Sequence, residues 1–190
     1  MKVTFVSNYI NHHQIPLAEV LYKKWGDDYH FIQTEPMEDE RVRQGWSLDV
    51  EKIPYVLQYQ KEPQLCQTLI LESDIVVFGG CEDETYIQER LSRGKIVFRY
   101  MERLYREGQW KAISPRGLKK KYHDHTRYAN APVYLLCAGG YVPHDFEIIR
   151  AYRGKRFRWG YFTKFEESSA EERKQWKSGE EIRIVWAGRF

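Results

Sequence analysis

Four short clusters in this sequence carry groups suited to chemistry: Asn11-His12-His13, Gly79-Gly80, Glu102-Arg103 and Gly139-Gly140. Imidazoles beside an amide can meet an anion or move a proton. A carboxylate next to a guanidinium can accept hydrogen bonds from sugar hydroxyls, act as a base or electrostatic partner, or bind phosphate through the arginine. The two residues can equally pair with each other or with helix ends. Glycine pairs let backbone approach a ligand closely, and they also make plain turns. Each cluster follows an apolar run, so the elements that position it come next.

Ile75 to Phe78 are four consecutive apolar residues that stop at Gly79-Gly80, the pattern of a strand buried on both faces of a parallel sheet. Residues 82–93 suit a crossover helix closed by Gly94, and Ile96 to Phe98 supply the next strand, which completes a βαβ unit. Lys2 to Val6, Tyr29 to Thr34, Ile53 to Tyr59, Val133 to Cys137 and Phe157 to Gly160 read as further strands. Pro16 fits only a first helical turn, so a helix starts near His12 or His13 and runs to Trp25. That start puts Asn11, His12 and His13 where free N–H groups favour a phosphate, although Asn11 can equally serve as a simple cap.

Further helices are expected from Pro63 to Leu71, with Leu65, Leu69 and Ile70 toward the sheet, and from Pro143 to about Tyr152. Ser114-Pro115 opens another, with Leu118, Tyr122, His125 and Ala129 on its apolar face. The stretch from Glu35 to Lys52 is polar and aperiodic, a long loop or irregular helix. The fold class is therefore α/β: a Rossmann-like, open, mostly parallel sheet with helices on both faces. Ligands of such sheets bind beyond the carboxyl ends of the strands where the strand order reverses, so the first loop, Gly79-Gly80 and Glu102-Arg103 are expected at one crevice. The second glycine pair, Gly139-Gly140, is expected at the same edge.

A chain of 190 residues with 42% hydrophobic and 30% charged residues has room for one domain and an appendage. It has no apolar run of membrane-spanning length, and Val3 to Val6 is too short for a signal-peptide core, so a cytoplasmic location is expected. The net charge of +3 does not argue for nucleic acid. Basic residues do cluster at Arg116 to Lys121 and at Arg150 to Arg158, which suits phosphates, anionic lipid or an acidic polymer, or else solvated helix ends. Three cysteines without a CxxC pair indicate neither a disulfide framework nor a zinc knuckle. His123 and His125 diverge by roughly 200° on a helix, so His123-Asp124-His125 cannot share a metal.

The turn Phe157-Arg-Trp-Gly-Tyr-Phe162, a charged linker and the segment Ile184-Val-Trp-Ala-Gly-Arg-Phe190 together resemble the first half of a two-domain GT-B glycosyltransferase. Within that fold the chain is most similar to bacterial family-4-type, "group 1" retaining enzymes. Tyr100-Met-Glu-Arg-Leu-Tyr105 resembles a segment ending in Ser-Glu-Arg in some members, with Met101 in place of the serine. The resemblance implies an acceptor-side domain over 1–163, a linker over 164–181 and the first strand of a donor domain over 182–190, cut before the family's glutamate pair. It implies sugar transfer from a nucleotide-sugar donor to a glycan or lipid-linked acceptor with retention, and a peripheral place at the inner membrane face. Glu102 and His12 or His13 would face the transferred sugar, Arg189 would meet the donor diphosphate, and no metal or other cofactor is implied, in keeping with the lack of an Asp-x-Asp motif. The first loop lacks the Gly-Gly of many members. Two other readings are a flavodoxin-like domain binding a nucleotide or phosphosugar without catalysis, and a basic interaction module built on Pro115 to Tyr128.

Overall fold

The apolar runs become the strands of one sheet in the computed structural model, which describes residues 1–46, 48–81, 84–105, 108, 114–165 and 167–176. Strands β1 (Val3–Ser7), β2 (Tyr29–Gln33), β3 (Val56–Gln58), β4 (Ile75–Gly79), β5 (Val97–Met101), β6 (Val133–Ala138) and β7 (Arg156–Trp159) pair in the order β3-β2-β1-β4-β5-β6-β7. Every pairing is parallel. The fold is Rossmann-like α/β, and the strand order reverses between β1 and β4. The strand expected over 182–190, with Arg189, lies outside the described residues.

Parallel pairing demands a crossover after each strand. Helices α1 (Ile15–Trp25), α3 (Pro63–Glu72), α4 (Glu84–Ser92), α5 (Pro115–Asp124) and α6 (Val142–Ile148) lie in these crossovers. Between β2 and β3 the chain makes a single turn, α2 (Asp39–Arg41), a π turn at Val42–Trp46 and a 3-10 turn at Val50–Lys52, the irregular helix expected of an aperiodic stretch. After β7 comes α7 (Ala170–Trp176).

Alternation along the strands divides the core in two. Val6, Val76, Phe78 and Leu135 pack with Cys66, Leu69 and Ile70 of α3, Ile87 of α4 and Phe146 of α6. Phe5, Phe31 and Val77 pack on the other face with Ala18 of α1 and with Tyr55. Each fully buried side chain of this size contributes roughly 1.5–3 kcal/mol. A cation lies inside: Arg90 is wholly buried and gives Nη1 to the carbonyls of Ile70 (2.7 Å) and Ser73 (3.0 Å) and Nη2 to that of Ile96 (2.9 Å). It satisfies the end of α3 and ties it to the approach to β5.

Four helices differ from expectation, among them α6, which ends at Ile148 and not near Tyr152, because Arg150 and Tyr152 take left-handed backbone. The first begins at Ile15, because Gln14 and Ile15 donate to the Asn11 carbonyl in a turn of their own. In α3 Leu65 is exposed and Cys66 takes the inward place. Helix α5 stops at Asp124 and buries none of its residues; Leu118 is 47% and Tyr122 62% exposed. Phe146, Tyr128 and Tyr152 fill the core on that side instead.

Candidate functional site

The reversal of strand order opens a crevice of about 470 Å³ at the carboxyl edge of the sheet. Chains leaving β1 and β4 depart to opposite faces, and the space between them receives no helix. Ser7 and Gly79 stand at the same register on adjacent strands, so the loops after both begin flush. The lining comes from the first loop (Asn8, Asn11, His13, Gln14), from Gly79, Gly80 and Cys81, from Arg99 to Glu102, and from Tyr161.

The first loop is held by its own side chains. The Asn8 carboxamide accepts from the Ser7 hydroxyl (3.1 Å) and the Tyr9 amide (2.9 Å), and Asn11 Oδ1 accepts from the His13 amide (2.9 Å). Gln14 takes the Asn11 amide on Oε1 (3.2 Å) and gives Nε2 to the Ser7 hydroxyl (3.3 Å). The amides of 11, 13, 14 and 15 are thus engaged within the loop, and the anion seat expected ahead of α1 is closed by internal hydrogen bonds. What faces the crevice is neutral polar surface.

The glycine pair has a packing reason. A Cβ on Gly79 would lie 2.6 Å from Tyr100 Cδ1 and 3.3 Å from Phe5 Cε1, so its bareness seats the Tyr100 ring. Gly80 has φ of 71°, a left-handed turn that carries the chain past the Asn8 carboxamide.

Glu102 follows β5 directly and lines the crevice. Its Oε1 accepts from the phenol of Tyr161, a residue on the segment that returns across the sheet after β7. That segment is tied to the first loop, since the Phe162 amide donates to the His13 carbonyl (3.3 Å) and the Tyr161 ring lies 5.2 Å from the His13 ring. Tyr161 therefore links Glu102 to His13. Burial, followed by the neighbouring His12, lowers the His13 pKa and keeps the imidazole neutral near pH 7. Its buried Nδ1 has no partner among the described residues. Burial raises the pKa of Tyr100, which is hydrogen-bonded to Tyr161.

Arg99 is 4% exposed and forms the crevice floor, but its charge is committed. It pairs with Glu84 (3.1 Å) and donates to the Asp124 carbonyl and the Tyr152 hydroxyl. His125 meets the same Tyr152 hydroxyl through Nδ1 (3.1 Å), and burial, then Arg99, pushes its pKa down to about 3. His123 is exposed on α5, whereas His125 lies just past the helix end and is buried.

Of the residues singled out from sequence, Asn11, His13, Gly79, Gly80 and Glu102 meet at this crevice. His12 does not line it. That ring is exposed and packs edge-on against Trp46, 4.4 Å away, and Arg41 covers the Trp46 ring. Arg103 turns away as well: Nε and Nη2 grip the buried Asp145 of α6 at 3.2 and 3.0 Å, a two-toothed pairing that fixes the exit of β5 to α6 and leaves no phosphate ligand here. Gly139 and Gly140 turn the chain from β6 into α6; Gly139 needs its φ of 108°, but nothing lies within 4 Å of a Cβ on either, so no close approach explains them. Arg189 is outside the described residues.

Sequence reasoning passed over Asn8, Gln14, Tyr100 and Tyr161. The signal for Tyr161 was its place two residues beyond the carboxyl end of an edge strand, just after Gly160. Comparison of the chain with protein-family models, with curated proteins and with solved structures finds no significant match in any of the three.

Proposed function

We propose that this chain forms the acceptor-side domain of a retaining glycosyltransferase. Its crevice would hold a hydroxyl of a glycan or lipid-linked acceptor while a nucleotide-sugar supplies the sugar. The observation that carries this reading is the lining: neutral amides, hydroxyls and aromatic rings, with one half-buried carboxylate, Glu102, held by Tyr161. Hydroxyls pair with amides and carboxylates, and the apolar faces of sugar rings lie on aromatic rings. A phosphate fits less well, because Arg99 is held by Glu84, a carboxylate it shares with Arg127, and Glu102 repels an anion.

In the transfer, the bond from the sugar's anomeric carbon to the diphosphate oxygen breaks and a bond to the acceptor oxygen forms. The nucleoside diphosphate leaves with the bonding pair and takes up the proton that the acceptor hydroxyl gives up. Glu102 would accept the hydrogen bond of that hydroxyl, and neutral His13 offers a second acceptor nearby. The donor diphosphate is assigned by the family resemblance to Arg189, and no metal or other cofactor is part of the proposal. A lipid-linked acceptor would place the enzyme at the inner membrane face. Helix α5 suits such a contact, with Leu118 and Tyr122 exposed beside Arg116, Lys119, Lys120 and Lys121. No helix among the described residues is long and apolar enough to cross a membrane.

Saturation-transfer NMR on the chain with a panel of neutral oligosaccharides tests the reading. A glycan should receive saturation, and Glu102→Gln should weaken its binding about tenfold, the loss of one charge-assisted hydrogen bond. Tight binding of a nucleotide or phosphosugar that ignores Glu102→Gln would favour a self-contained nucleotide-binding domain instead.

A further inference from the structure

The turn between α6 and β7 holds two non-glycine residues in the left-handed region, Arg150 (φ 56°) and Tyr152 (φ 52°). Such residues are strained and persist only where something holds them there. For Tyr152 the cause is visible. Its side chain is fully buried, its hydroxyl meets Arg99 and His125, and its ring packs on that of Phe146 at 5.6 Å.

Arg150 has no such cause. It stands just past the end of α6, where its amide donates to the Glu147 carbonyl (2.9 Å) and the next amide, of Ala151, to that of Phe146 (3.0 Å). That is the helix-ending position at which glycine is usual. The Arg150 side chain is exposed and, among the described residues, makes no hydrogen bond, ion pair or ring contact. It does line a concavity of about 340 Å³ with Arg153, Arg156 and Glu147. Arg153 is likewise unpaired among the described residues, and Arg156 gives only Nη1, to the Pro143 carbonyl (2.8 Å). Three guanidinium groups thus converge against one carboxylate, and that carboxylate forms no ion pair among the described residues. Neighbouring Lys155 is spent on the carbonyls of Ala129 and Ala131.

We propose that this turn is an anion site that takes a phosphate group through Arg150, Arg153 and Arg156. Guanidinium forks match the oxygens of a phosphate, and a strained arginine kept where glycine would be easier is explained by a ligand outside the chain. The site lies at the amino-terminal edge of the sheet, where Arg156 begins β7, whereas the crevice lies at the carboxyl edge. It stands or falls independently of the acceptor reading. A soluble phosphate ester and an anionic lipid headgroup present the same chemistry.

The test uses the whole chain with pyrophosphate in solution, and with phosphatidylcholine vesicles with and without phosphatidic acid. Wild type should bind pyrophosphate, the phosphatidic acid vesicles, or both. Binding should weaken steeply with salt, and Arg150→Gly and Arg153→Gln should each cost about tenfold. Arg150→Gly should also melt at a higher temperature than wild type, because glycine relieves the left-handed strain, so weak binding cannot be blamed on misfolding. Pyrophosphate binding without vesicle binding identifies a soluble ester; vesicle binding alone identifies a headgroup. Absence of both, binding unchanged in the two variants, or a lower melting temperature for Arg150→Gly overturns the proposal.

Discussion

The phenol of Tyr161 donates to Oε1 of Glu102, joining the segment that follows the last strand to the exit of the fifth across 59 residues of sequence. The same ring lies 5.2 Å from His13. One exposed side chain thus sets the spacing of the two groups best suited to meet an acceptor hydroxyl.

Tyr161→Phe keeps the ring beside His13 and removes the hydroxyl that meets Glu102 and Tyr100. Glycan affinity should fall several-fold while stability stays within about 0.5 kcal/mol of wild type, as for an exposed substitution. Titration calorimetry paired with a urea melt reads both. Affinity equal to wild type would show that Glu102 needs no anchor.

Gly79→Ala should cost about 1–3 kcal/mol, because the new methyl meets the Tyr100 ring at 2.6 Å and the ring must leave its place. A double-mutant cycle with Tyr100→Ala should show the two changes coupled, with part of the loss recovered. Additive costs would mean that Gly79 serves the turn alone.

Arg90→Met removes a buried fork that satisfies the carbonyls of Ile70, Ser73 and Ile96. Those acceptors would be left without partners in the core, and denaturant unfolding should record a loss of about 3–5 kcal/mol. Burial already lowers the pKa of this arginine to about 10, a measure of how dry its surroundings are. A loss under 1 kcal/mol would mean that water replaces the fork.

Acid should weaken the fold through His125. Its pKa falls from 6.5 to about 3 on folding, so below pH 6.5 the unfolded chain takes up a proton that the folded chain refuses. Stability is therefore intact above pH 6.5 and is lost as pH falls toward 3, with a slope of up to about 1.4 kcal/mol per pH unit from this group. Arg99, Lys120 and Lys121 oppose its charging, and Asp124 favours it. Between pH 7 and 5 wild type should lose about 2 kcal/mol more than His125→Gln. Parallel losses would place the acid sensitivity elsewhere.

The sheet was legible in the sequence because two-sided burial writes each parallel strand as a short apolar run, and Gly94 and Ser114-Pro115 mark helix ends by local chemistry alone. The position of Gly79-Gly80 at the strand reversal followed from the same βαβ pattern. Other features depend on partners distant in sequence. Arg103 reads as a phosphate ligand until Asp145, 42 residues on, takes both teeth of its fork. Gly79 reads as a site for close ligand approach until Tyr100 fills the space. The apolar period of α5 is the same whether Leu118 and Tyr122 are covered or bare. Tyr161 was signalled by its place just past an edge strand, but its partners Glu102 and His13 depend on the path of the chain after β7.

Chemical-shift mapping of the ¹⁵N-labelled chain during titration with a neutral oligosaccharide that binds tests the central claim most directly. The account predicts the largest changes at Asn8, His13, Glu102 and Tyr161, little at Gly139 and Gly140, and a uniform loss of these changes in Glu102→Gln. Changes centred elsewhere, or a crevice that answers to nucleotides and ignores neutral glycans, would contradict it.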